Sequence, residues 1–143
     1  MLICDDEEFN LMTLTHLLMN FDLKAECFES GTLAVNCFRK RLALKCCSRT
    51  FRLVLTDISM PTLDGYGVCT QIMATQNFWF EGMRKQQSLV KFKAKRVTPV
   101  VAVTAYTDES TKEKAKSVGM SDLMHKPVTI DRLEKCLNEF YYK

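Results

Sequence analysis

Leu53-Val54-Leu55-Thr56-Asp57-Ile58-Ser59-Met60-Pro61-Thr62-Leu63-Asp64-Gly65 decides the fold. Its first part is a short apolar run that ends in a carboxylate. Its second part is a turn, punctuated by Pro61 and Gly65. Three further runs share the pattern. Leu2-Ile3-Cys4 leads into Asp5-Asp6, Val100-Val101-Ala102-Val103 into Thr104, and Leu123-Met124-His125 into Lys126-Pro127. Short apolar runs alternating with longer amphipathic segments read as parallel strands joined by crossover helices. The carboxyl ends of such strands open onto one edge of the sheet, where ligands bind. Asp5, Asp6 and Asp57, the Thr104 hydroxyl and the Lys126 ammonium are therefore expected in one pocket. Carboxylates at that density repel unless a hard divalent cation sits among them, and an oxygen-rich site favours magnesium. The expected chemistry is metal-assisted phosphoryl acceptance.

Working outward, Leu11, Leu14, Leu18 and Phe21 recur at helical spacing, predicting a first helix over about 6–20. Residues 23–28, with Ala25 and Cys27 set among polar neighbours, predict an edge strand. Ser30 is placed to cap a helix over 31–45 carrying Leu33, Phe38 and Leu42. After strand 53–57, a helix over about 65–75 carries Val68 and Ile72. Strand 99–104 leads to Asp108, a cap for helix 109–118, which Gly119 terminates. Strand 121–125 is followed by Thr129, capping a helix to about 142 with Ile130, Leu133, Leu137 and Phe140 as its apolar stripe. Five strands alternating with five helices give a three-layer α/β/α sandwich with right-handed crossovers.

The 143 residues fit one domain with a self-sufficient core, and 47% hydrophobic with 26% charged residues is ordinary for a globular protein. No apolar stretch reaches the ~20 residues of a membrane helix, and the acidic start is no signal peptide. Seven cysteines without CxxC spacing argue against a disulfide framework or zinc site. Cys4, Cys27 and Cys69 lie in apolar patterns and read as small buried hydrophobes in a reducing compartment. His16 and His125 read as ordinary polar positions rather than phosphodonor or metal ligand.

These motifs closely resemble the receiver domain of two-component response regulators, over nearly the whole chain. Cys4-Asp5-Asp6-Glu7-Glu8 resembles that family's acidic pair. Leu55-Thr56-Asp57-Ile58-Ser59-Met60-Pro61 with Asp64-Gly65 resembles its phosphoacceptor strand and turn, and Val103-Thr104-Ala105 and Lys126-Pro127 its other two signatures. The resemblance implies a flavodoxin-like receiver fold, a five-stranded parallel sheet in the order 2-1-3-4-5. It implies that Asp57 takes a phosphoryl group from a phosphohistidine on a histidine kinase or histidine phosphotransfer protein. It further implies Mg2+, with Mn2+ as substitute, held by Asp5, Asp6, Asp57 and the Ser59 backbone carbonyl. Lys126 and Thr104 then contact the phosphoryl oxygens, and the Lys126–Pro127 peptide is cis. Such a domain phosphorylates and dephosphorylates itself without being a classical enzyme, in the cytoplasm or on the cytosolic side of a sensor.

Three features depart from the pattern: Leu123, the start of the first strand and two insertions. Leu123 stands where receivers usually carry Tyr or Phe, which leaves a phosphate-independent interaction module as the second reading. Tyr106 could influence access of water to an acyl phosphate. The first strand begins almost at Met1, as in a segment of a longer protein such as a hybrid sensor kinase. Two insertions interrupt the single receiver domain 1–143, near 43–52 and 76–96. The second holds six Lys/Arg against Glu81 alone, and Val90, Phe92 and Ala94 alternate with lysines as in a half-buried strand or flap. A solvated insertion explains it better than nucleic-acid or membrane contact. Two neighbouring chemistries are disfavoured. A dehalogenase-like phosphatase needs a second Asp where Ser59 stands, and a flavin phosphate cradle would want Gly, Ser or Thr where Asp5-Asp6-Glu7-Glu8 stands.

Overall fold

A computed structural model describes residues 1–44, 50–85 and 97–143. In order, the elements are β1 (Leu2–Cys4), α1 (Glu8–Met19), β2 (Glu26–Phe28), α2 (Gly31–Ala43), β3 (Val54–Asp57) and α3 (Gly65–Lys85). β4 (Val100–Thr104), α4 (Glu109–Ser117), β5 (Asp122–His125) and α5 (Ile130–Cys136) follow, and a π-helical turn, Leu137–Tyr141, closes the chain. The strands form one parallel sheet in the order β2-β1-β3-β4-β5. The three-layer α/β/α sandwich read from the sequence and the strand order implied by the resemblance are both present.

Strand side chains alternate between faces, so the central strands feed two separate cores. Leu2, Cys4, Val54, Val100 and Ala102 pack with Val35, Phe38, Val68 and Ile72 of α2 and α3. Ile3, Leu55, Val101, Val103 and Met124 pack with Leu11, Leu14 and Leu18 of α1 and Leu133 and Leu137 at the carboxyl end. Burial on both faces explains why these strands read as continuous apolar runs. β1 needs only three residues because all three are fully buried and paired on both sides.

Several local expectations change. The helix starting at Gly65 continues to Lys85 rather than stopping near 75. Its buried face runs on from Val68, Cys69 and Ile72 to Gln76 and the half-buried Trp79, at helical spacing, so packing carries the helix forward. The strand expected over 23–28 pairs only at Glu26–Phe28, and Cys27 on this edge strand is exposed. Leu33 and Ile130 are exposed; the buried positions of these helices are instead Gly31, Ala34, Val35, Phe38 and Leu42 in α2, and Leu133 and Cys136 in α5. Ser30 occupies the N-cap of α2 without a side-chain bond, whereas Asp108 and Thr129 accept the Thr111 and Arg132 amides as caps. Gly119 adopts φ +91 after α4, the left-handed geometry expected of it. The strand or flap read into 90–95 lies outside the described residues.

One buried clasp was not foreseen. The Gln76 side-chain carbonyl accepts the Thr98 amide at 2.6 Å, and its amide donates to the Thr98 carbonyl at 3.2 Å. The Thr98 hydroxyl donates to the Phe51 carbonyl at 2.7 Å, so α3 is tied to the entries of both β3 and β4. Replacing Gln76 by Met leaves two buried backbone groups of Thr98 without partners. We expect a loss of about 2–4 kcal/mol in urea unfolding, at an unchanged dependence on denaturant.

Candidate functional site

Parallel register brings the strand ends together. Cys4 is opposite Thr56, Asp57 opposite Val103, and Thr104 opposite His125. The residues just past these positions therefore share one edge, as the sequence indicates. Carboxylate oxygens of Asp5, Asp6 and Asp57 all lie within 4.8 Å of one another. Asp5 and Asp57 are buried, while Asp6 is exposed.

Each buried carboxylate is held at both oxygens. For Asp57, one oxygen accepts the Ile58 amide at 2.7 Å and the other pairs with Lys126 Nζ at 3.1 Å. For Asp5, Oδ1 accepts the Glu7 amide at 3.0 Å and Asn10 Nδ2 at 3.1 Å, and Oδ2 pairs with Lys126 Nζ at 2.7 Å. One ammonium thus bridges the two buried acids. Lys126 is aimed there by its backbone, whose amide donates to the Thr104 carbonyl at 2.9 Å, and the Lys126–Pro127 peptide is cis.

Thr104 is buried at the end of β4, and its hydroxyl oxygen accepts the Tyr106 amide at 3.1 Å. Its own proton is left to donate. Ser59 is exposed, two residues beyond Asp57 on the loop leaving β3. Gly65 closes that loop: its amide donates to the Ile58 carbonyl, and a Cβ there would stand 2.1 Å from the Asp57 carbonyl oxygen. Only glycine lets α3 begin this close to the Asp57 backbone. His16 and His125 are exposed and lie outside the acidic group. Asn10 escaped the sequence reading. The available signal was a polar amide in the first turn of α1, within one helical turn of the acidic pair.

Burial pushes the Asp57 carboxyl above its ordinary value, against the pull of the bond and charge of Lys126. Burial draws the Lys126 ammonium down, but its pairs with Asp5 and Asp57 outweigh that and hold it above the usual lysine value. Burial also raises the Cys4 thiol to about 12, leaving it unreactive beside the site.

The sequence and the fold match known proteins. The chain belongs to the response regulator receiver domain family, whose pattern covers residues 1–138. It is 32% identical over 133 residues to the signal transduction histidine-protein kinase BarA of Escherichia coli (strain K12), covering 93% of this chain and 12% of that protein. A probable histidine kinase 4 of Oryza sativa subsp. japonica is 30% identical over 142 residues, 97% of this chain and 13% of that protein. The chain therefore spans about an eighth of the length of these relatives, and it is a receiver domain of the kind hybrid histidine kinases carry. Among solved structures, the receiver domain of sensor histidine kinase PA1611 from Pseudomonas aeruginosa, with magnesium in its active-site cleft, superposes with TM-score 0.71 at 22% identity, covering 97% of this chain and 93% of that one. The Ssk1 receiver of Saccharomyces cerevisiae, crystallised with the phosphotransfer protein Ypd1, gives TM-score 0.74 at 25% identity, with 97% and 86% covered.

The raised Asp57 value fixes a sign. An unfolded chain gives up this proton near 3.8, and the folded protein only at higher pH. The charged Asp57 therefore subtracts stability, fully above the folded value and not at all below about 3.8. In metal-free buffer, Asp57→Asn should unfold at higher urea than the parent at pH 7. That advantage should shrink as pH falls toward 4.

Proposed function

We propose that Asp57 is the phosphoacceptor of a two-component relay. The observation that carries this reading is the triad of carboxylates within 4.8 Å, with a lysine bridging its two buried members. A carboxylate oxygen of Asp57 forms a bond to the phosphorus of a phosphohistidine as the P–N bond breaks. The electron pair of that bond returns to the imidazole, and an acyl phosphate results. A carboxylate is a weak nucleophile, so positioning and charge supply most of the rate.

The donor set suits magnesium: three carboxylates and a backbone carbonyl are all hard oxygen ligands, and one ammonium does not balance three negative charges. Asp6 and Asp57 would bind the ion directly, Asp5 through water and Ser59 through its carbonyl, with manganese as substitute. When bound, the ion neutralises phosphoryl oxygens and relieves the repulsion among the acids. Lys126 offers a point charge to a phosphoryl group on Asp57, and Thr104 a hydroxyl proton. The Ile58 amide and Lys126 hold the two oxygens of the Asp57 carboxylate in place.

The donor is a histidine kinase or histidine phosphotransfer protein, in a cytoplasmic setting. Support comes from the kinship with hybrid kinases and from the Ssk1 receiver's complex with Ypd1. Phe9 and Met12 stand 75% and 64% exposed on α1, one turn apart, with Phe9 beside the Asn10 that touches Asp5. Apolar side chains this open next to a charged site suit a partner helix.

Incubation with acetyl phosphate and magnesium, followed by intact-mass measurement, should show one added phosphoryl group. It should be absent from Asp57→Asn and from metal-free samples. Failure to accept phosphate from both acetyl phosphate and a phosphorylated histidine protein, in folded protein, would favour a phosphate-independent module. The surface has its own test. Phe9→Glu with Met12→Glu should slow transfer from a phosphorylated histidine phosphotransfer protein by tenfold or more (about 1.4 kcal/mol), leaving labelling by acetyl phosphate unchanged.

A further inference from the structure

We infer that Asn10 is a positioning residue that sets which oxygen of Asp5 faces the cation site, an inference resting on the proposed magnesium-dependent function. Asp5 is 1% exposed, so bulk solvent does not order its carboxylate. Rotation of a carboxylate about its last bond meets a low, broad barrier. Its direction is therefore chosen by its partners. The Glu7 amide and Asn10 Nδ2 converge on Oδ1 at 3.0 and 3.1 Å, leaving Oδ2 toward Lys126 and Asp57. Of the two donors on Oδ1, the amide of Glu7 is fixed by the main chain at the start of α1. Asn10 is the one supplied by a side chain.

The residue type fits this task and no other evident one. Asparagine is among the weaker helix formers, and alanine at the same place in the first turn would favour α1 more. Its second contact, to Glu7 Oε2 at 3.4 Å, is at the outer limit for a hydrogen bond. An amide also donates without changing charge. A lysine at position 10 would neutralise Asp5 and repel a cation, and an aspartate would add a fourth carboxylate and remove the donor. Partners that orient ligands from behind in this way typically contribute a factor of about 10–100 to metal affinity.

The test is calorimetric titration of the full chain with Mg2+, comparing the parent with Asn10→Ala and the similarly shaped Asn10→Leu. Urea unfolding in metal-free buffer accompanies it, with acetyl phosphate labelling rates across Mg2+ concentrations. We expect both variants to bind Mg2+ about tenfold more weakly, with the unfolding midpoint of Asn10→Ala equal to or above the parent's. The labelling rate should need about tenfold more Mg2+ for half-saturation yet reach within about twofold of the parent's maximum. Unchanged Mg2+ affinity in both variants would overturn the role of Asn10 while leaving the proposed function intact. So would weaker binding matched by a lower metal-free midpoint and a lower maximal rate, since that is structural damage. A parent that binds no Mg2+ would overturn both readings.

Discussion

Electrostatic repulsion among Asp5, Asp6 and Asp57 is the constraint on which the rest depends. Their oxygens lie within 4.8 Å, two of the three residues are buried, and among the described residues the ion pairs that reach them come from Lys126. Left to relax, such groups would separate or take up protons; the Asp57 carboxyl is raised chiefly by burial, with the nearby Asp5 charge adding to it. The fold prevents separation by fixing each acid at the end of a fully buried strand. Under the proposed function, a small, hard cation would relieve that repulsion.

The architecture makes this tolerable by keeping the rest of the molecule conventional. Two apolar cores on opposite faces of the sheet lock the register of β1, β3 and β4, and that register alone decides where the acids and Thr104 stand. A slip of one residue would exchange the faces of a whole strand. Near the site, close approach takes over from apolar packing. Gly65 lets α3 start against the Asp57 carbonyl, and the Thr104 carbonyl receives the Lys126 amide. Farther from the site, Gln76 and Thr98 fix the middle of α3 to the sheet.

The site was largely legible in the sequence because its information is local. Each reactive residue directly follows an apolar run, and a parallel sheet gathers run ends without further instruction. The strand order came with the family resemblance, since no local pattern encodes which strand neighbours which. What could not be read depended on contacts between distant segments. Leu33 and Ile130 carry apolar side chains at helical spacing, yet the buried positions are Ala34, Val35 and Phe38 in α2 and Leu133 and Cys136 in α5. Cys27 looked buried because β-alternation was assumed for an edge strand that pairs over only three residues. The continuation of α3 past residue 75 rests on Gln76 and Trp79 meeting partners elsewhere in the fold, and a polar Gln argued against a core position. Asn10 was overlooked because one polar residue in a first helical turn carries no pattern.

Where a divalent ion sits is the most direct test of the account. Crystals soaked in Mn2+ should give an anomalous difference peak bounded by Asp5, Asp6 and Asp57, with Lys126 drawn away from its pairing with both buried acids. A peak elsewhere on the protein, or acids and lysine unchanged at saturating Mn2+, would contradict it.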